Sequence, residues 1–241
     1  MISFSDGIAG HTHDSPIRYL LAFWFYIFCT LMISRRMINN GPVFETALLL
    51  IGSIIGSVRE GFMFILDYGY HRNLISPTVT LDNVPLLDHT FQMLSLLSFY
   101  YAILYLARPP KQYIKYYHFS YVIPFIIYCG VTFFNFNALK NNSYYHAVNL
   151  SHLLMMFMSI SVFIFVYKAK KYLPVAIMGF LVFTFASQVY GALNLLTDLK
   201  YNDIFMPYHN AYYLWSIPFI MYYIQSIPIR RVKTSLLNND H

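Results

Sequence analysis

Residues 44–66 read FETALLLIGSIIGSVREGFMFIL. As a helix, with a rise of 1.5 Å per residue, this stretch is long enough to cross a hydrocarbon core of ~30 Å. Near its far end it carries two adjacent ionisable residues, Arg59 and Glu60. A charge near the centre of a span costs at least ~2.5–3 kcal/mol, so such residues face the interior of a bundle and have partners. Neighbouring positions on a helix point about 100° apart, so Arg59 and Glu60 are not expected simply to pair with each other. Each is expected to find a partner on another helix. The bland counterpart to a functional pair is a structural ion pair that fixes helix register. The same stretch holds Gly52 and Gly56, with Ser53 and Ser57 repeating the spacing. Small residues four apart let helices approach closely, and packing within the chain is the favoured reading over dimerisation.

Working outward, six more stretches of this kind fill almost all of the remaining chain. The seven expected spans are 17–34, 44–66, 86–107, 114–134, 146–167, 173–197 and 205–227. Apolar residues make up 58% of the 241 and charged residues only 11%, where a soluble domain carries about 25%. Backbone groups in lipid must be satisfied within each segment, and the short alternating segments of a barrel are absent, so each span is read as a helix. The expected fold is therefore all-α, a polytopic bundle of seven transmembrane helices. Residues 1–16 form an N-terminal tail, 17–227 the membrane domain and 228–241 a C-terminal tail. The tail MISFSDGIAGHTHDSP is polar and lacks a basic region, so the first span is expected to act as an uncleaved anchor. Tyrosines are numerous, at 23, and suit the headgroup region, where ring and hydroxyl are both satisfied. Cys29 and Cys129 fall mid-span and are read as small buried hydrophobes rather than a disulfide.

Orientation follows from the basic residues. Arg35, Arg36, Arg108, Lys111, Lys115, Lys168, Lys170, Lys171, Arg230, Arg231 and Lys233 fall on one side, and only Arg18, Arg72, Lys140 and Lys200 on the other. The positive-inside rule then places the N-terminus outside and the C-terminus in the cytoplasm. The same distribution accounts for the net charge of +6 as a topology signal, so no nucleic-acid partner is expected. A bacterial inner membrane is the expected location, because the loops are short.

Polar side chains concentrate in the outer half. Glu60 lies ~10 Å below the outer end of its span and His152 a similar depth below the end of the fifth. Gln92 is ~9 Å into the third span, Gln188 ~13 Å into the sixth and Tyr213 ~12 Å into the seventh. Asp88, His89, His146, Asn149, Asn194, His209 and Asn210 form a layer above them. Below them, most spans are Leu, Ile, Phe and Met. This asymmetry predicts a polar cavity that opens outward and is sealed beneath. A non-enzymatic receptor- or sensor-type module is the first reading, with Arg59, Glu60, His89, Gln92, His152, Gln188 and His209 binding a small polar ligand. Arg59 and Glu60 would supply charge recognition, and the histidines hydrogen bonds or a pH response. The tail SIPIRRVKTSLLNNDH is too short for an output domain. A sensor of this kind would need a cytoplasmic signalling partner or be part of a longer chain.

Three alternatives stand beside that reading. Glu60, His89, His146, His152 and His209 are enough to ligate Zn or Fe in a metal-dependent membrane enzyme, although no HxxxH or HExxH spacing occurs. His89, His146 and His209 are roughly level, which would suit haem, but they lie near the water interface. A transporter would place its polar residues at the midplane and show a repeat, and neither feature is present. Microbial rhodopsins share seven spans and this size, but FMPYHNAYYLWSIPFIMYYIQ has no retinal-binding lysine. Seven-span ceramidase-like and progestin-receptor-like hydrolases resemble the chain in their scattered His, Asp and Ser. Their paired last-span histidines have no match here, since His209 stands alone. The Gly-x-Ser-Gly of rhomboid proteases is also absent.

Overall fold

The computed structural model describes residues 16–76, 88–107, 110–134, 144–168 and 175–196. Those residues are helical, with no strand among them. They form α1 (Pro16–Asn40), α2 (Phe44–His71), α3 (Thr90–Ala107), α4 (Ile114–Phe134), α5 (Tyr144–Lys168) and α6 (Val175–Leu196), plus a 3-10 turn at Lys111–Tyr113. The helices overlap the first six expected spans. The seventh, 205–227, lies outside the described residues together with His209 and the C-terminal tail.

Among the described residues, four stretches are long and apolar enough to cross a membrane: Tyr19–Asn40, Phe44–Tyr70, Thr90–Ala107 and Leu150–Lys168. The apolar run of α6 within the described residues is shorter, Ile177–Ala186. The apolar surface faces outward as well as inward. Trp24, Leu31, Phe119, Ile126 and Tyr167 are each at least 60% exposed, and only 22% of the α1 window is buried. A protein in water rarely shows so much contiguous apolar surface, whereas lipid chains solvate it.

Local chemistry sets the element ends. Gly41 has φ 78°, the left-handed conformation that glycine adopts without a Cβ penalty, and it ends α1. Pro42 follows it, and α2 starts after the extended Val43, whose carbonyl accepts from Ala47 N–H at 3.0 Å. At the far end of α2, Asn73 has φ 58°, a conformation that Asn tolerates better than most residues. Its neighbours Leu74 and Ile75 donate back to the Gly69 carbonyl.

Helix α3 is the hub. It packs against α2, α4 and α5, and α1 lies on the other side of α2, while α6 lies against α5. Both glycines of the small-residue motif are used inside the chain, as expected. A Cβ on Gly52 would lie 3.0 Å from the Phe99 ring of α3, and one on Gly56 would lie 2.6 Å from the Tyr26 ring of α1. Ser95 Oγ donates to the Gly52 carbonyl at 2.9 Å across the α2–α3 contact.

The buried core differs from expectation in its tyrosines. Tyr100, Tyr121 and Tyr128 are fully buried, alongside Phe99, Phe180, Leu96, Ile103 and Met155. At Tyr100 the hydroxyl finds a partner, whereas Tyr121 Oη has no hydrogen-bond partner among the described residues. Tyr100 Oη meets Ser159 Oγ at 2.6 Å, and that serine in turn donates to the Met155 carbonyl. Cys29 is buried and Cys129 half-buried, and both are free thiols.

Candidate functional site

One guanidinium organises the end of the bundle that the distribution of basic residues would place outside. Arg59 and Glu60 are both buried on α2, at 6% and 0% exposure. Arg59 Nε donates to Asp88 Oδ1 at 2.6 Å, and Nη2 pairs with the same carboxylate. Arg59 Nη1 also pairs with Glu60 Oε1. The sequence-based expectation for this pair therefore needs correcting. The Cβ directions of adjacent residues diverge, but the long, flexible arginine stem carries the guanidinium back across its own helix to its neighbour. The other half of the expectation holds for Arg59, whose second partner, Asp88, sits in the turn that leads into α3.

From Asp88 the polar contacts continue inward. His89 Nε2 lies 4.0 Å from Asp88 Oδ2. His89 Nδ1 is 2.9 Å from Ser151 Oγ on α5. The His89 and His152 rings meet edge to face, with centroids 5.1 Å apart. His152 Nδ1 is 2.8 Å from Gln188 Oε1 on α6. An amide oxygen only accepts, so Nδ1 of His152 carries the proton, and in the neutral ring Nε2 is the acceptor. Gln188 Nε2 is buried and has no hydrogen-bond partner among the described residues. Gln92 is buried one turn beyond His89 on α3.

The helices thus bring together Arg59, Glu60, His89, His152 and Gln188 from α2, α5, α6 and the start of α3. Gln92 lies on the same helix as this group. His209 lies outside the described residues. His146 belongs to the first turn of α5, but its side chain is not among those described. Two residues outside the expected binding set complete the chain of contacts: Asp88, named in the polar layer, and Ser151. Asp88 had a readable signal: a buried arginine needs a carboxylate at its own depth, and Asp88 is an acid at the matching end of the next span. Ser151 had none beyond standing next to His152.

Among the described residues these side chains form a buried network. Glu60, His89, His152 and Gln188 are all under 9% exposed. Among the described residues, no three His, Cys, Asp or Glu side chains converge in a way that could hold a metal ion. No protein-family model, curated protein or solved structure matches the chain.

Proposed function

We propose that this chain is a membrane module of receptor or sensor type with its N-terminus outside, in which the Arg59-to-Gln188 network receives a small polar ligand. One observation carries the proposal. A run of buried polar groups crosses four helices and ends on Gln188 Nε2, a buried donor that lacks a partner among the described residues. A buried donor without an acceptor costs about 1–3 kcal/mol, and a ligand carbonyl or carboxylate removes that cost. His152 bonds the other atom of the same amide, so filling the site is felt along the run toward His89 and Arg59. A membrane sensor needs coupling of this kind, and lipid-facing apolar helices supply the setting.

A second reading rests on the Arg59–Glu60–Asp88 triad. A single guanidinium between two carboxylates, anchored on α2 and at the start of α3, is a register lock for the bundle. The two readings separate in a thermal-shift screen of the full chain in mild detergent against small carboxylates, amides and amino acids. Under the ligand reading, one compound raises stability in a saturable way, by about 2.7 kcal/mol at one hundred times its Kd. Gln188→Leu abolishes that gain while the chain still folds. If no compound stabilises the chain, and Gln188→Leu leaves stability unchanged or raises it, the register lock alone remains.

A further inference from the structure

A second site lies at the opposite end of the bundle. Glu45 opens α2 fifteen positions before Glu60, ~22 Å along the helix axis. Around it, α2, α3 and α4 leave a pocket of about 280 Å³, lined by Glu45, Tyr101, Tyr105, Ile114, Tyr117 and His118 over Leu104. Its chemistry is unusual for an apolar bundle, with three phenol rings, an imidazole and one carboxylate around open space. Tyr101 Oη is held by His118 Nδ1 at 2.8 Å, which fixes two of the rings. Phe44 packs edge-on to Tyr105, with centroids 4.8 Å apart. Tyr117 is 97% buried, and its hydroxyl has no hydrogen-bond partner among the described residues. Glu45 likewise makes no ion pair among the described residues.

We infer that this pocket binds an organic ammonium group, with the ring faces of Tyr101, Tyr105 and Tyr117 around the cation and Glu45 as its counter-charge. Alternatives fail on chemistry. An anion would face the Glu45 carboxylate. A hard metal cation such as Ca²⁺ requires six or more oxygen ligands, and a single carboxylate with phenols does not supply them. A substituted ammonium is weakly hydrated, and the negative faces of aromatic rings attract it. A neutral apolar guest would leave the Glu45 carboxylate unanswered. Such a cation has two sources, a free amine or the headgroup of an amine-bearing phospholipid. The pocket borders the Lys111–Tyr113 turn, at the end of α3 where a span meets the headgroup layer. This inference does not depend on the network around Arg59.

The test uses the full chain in a maltoside detergent, which carries no ammonium group. Tetramethylammonium chloride is titrated against sodium chloride at equal ionic strength, with thermal shift and saturation-transfer NMR as readouts. The expected result is saturable binding of tetramethylammonium. Glu45→Gln and Tyr105→Leu should each weaken it at least tenfold, and Gln188→Leu should leave it unchanged. A titration that matches sodium chloride overturns the inference, as does wild-type affinity in both pocket variants. Repeating the titration in nanodiscs assigns the source. If phosphatidylcholine discs weaken tetramethylammonium binding relative to discs of an uncharged glycolipid without an amine, a lipid headgroup competes for the pocket. Equal affinity in the two identifies a free amine as the occupant.

Discussion

At the end of the bundle expected to be the outer one, Arg59, Glu60, His89, His152 and Gln188 are buried and linked side chain to side chain across four helices. At the opposite end, expected to be the inner one, Glu45, Tyr101, Tyr105 and His118 stand around open space, and only Tyr101 and His118 among the described pocket residues bond each other. Both ends hold carboxylate, ring nitrogen and hydroxyl groups, and they differ in burial. Where lipid and protein exclude water, a polar group left unanswered is costly, and the contacts that answer most of them fix helix positions. Where a span reaches the headgroup layer, water can answer, so polar groups can stand apart and leave room for a guest. Stability should therefore depend on the outer end, while selective binding of a cation can occur at the inner end with little structural consequence.

The largest effect that sharpens this contrast comes from Arg59→Met. It strands the buried Glu60 and the half-buried Asp88 without the Arg59 cation, and breaking a buried pair in this way costs about 3–5 kcal/mol. Unfolding in mixed micelles with increasing denaturing detergent measures the change. The triple variant Arg59→Met, Glu60→Gln, Asp88→Asn should recover most of the loss, because no charge is then left behind. If the single variant unfolds like the wild type, the outer network carries no structural weight and the comparison between the two ends collapses.

Much of this contrast was legible before the structure. Apolar length and the spacing of interruptions marked six stretches that the described helices overlap, although α1 runs on to Asn40 and α2 to His71, beyond the ends expected at 34 and 66. Depth along each helix put Glu60, Gln92, His152 and Gln188 in one half of the bundle, since rise per residue is nearly constant. Rotation and rotamer were not legible. The Arg59–Glu60 pair depends on how a long stem folds over its own turn, which spacing does not encode. Tyrosine count pointed to the headgroup layer, yet Tyr100 is buried because Ser159, 59 residues away, meets its hydroxyl. The inner pocket also escaped notice, since Glu45 and His118 look like ordinary span-end residues until α3 brings Tyr101 and Tyr105 beside them.

A smaller effect is expected within the outer network itself. A double-mutant cycle on His152→Leu and Gln188→Leu isolates their hydrogen bond from the packing of each side chain. Side-chain hydrogen bonds between membrane helices average ~0.6 kcal/mol and reach ~1.7. The coupling here should lie toward the upper figure, because Gln188 is wholly buried and its amide nitrogen has no other answer among the described residues. A coupling indistinguishable from zero would mean that the run of contacts is broken at α5–α6, and that the histidines and the triad act separately.

The smallest effect belongs to Glu45→Gln. The side chain is half-buried, has no ion-pair partner among the described residues and keeps its shape on substitution. Substitutions of this kind fall within about 0.5 kcal/mol of neutral. A neutral result beside the large loss from Arg59→Met places stability at one end of α2 and leaves the other end free to exchange partners. A loss of 2 kcal/mol or more would instead show that Glu45 is held by a charge of its own. The inner pocket would then be a second structural lock rather than a site with room for a cation, and the two ends would differ only in how far they lie from the headgroups.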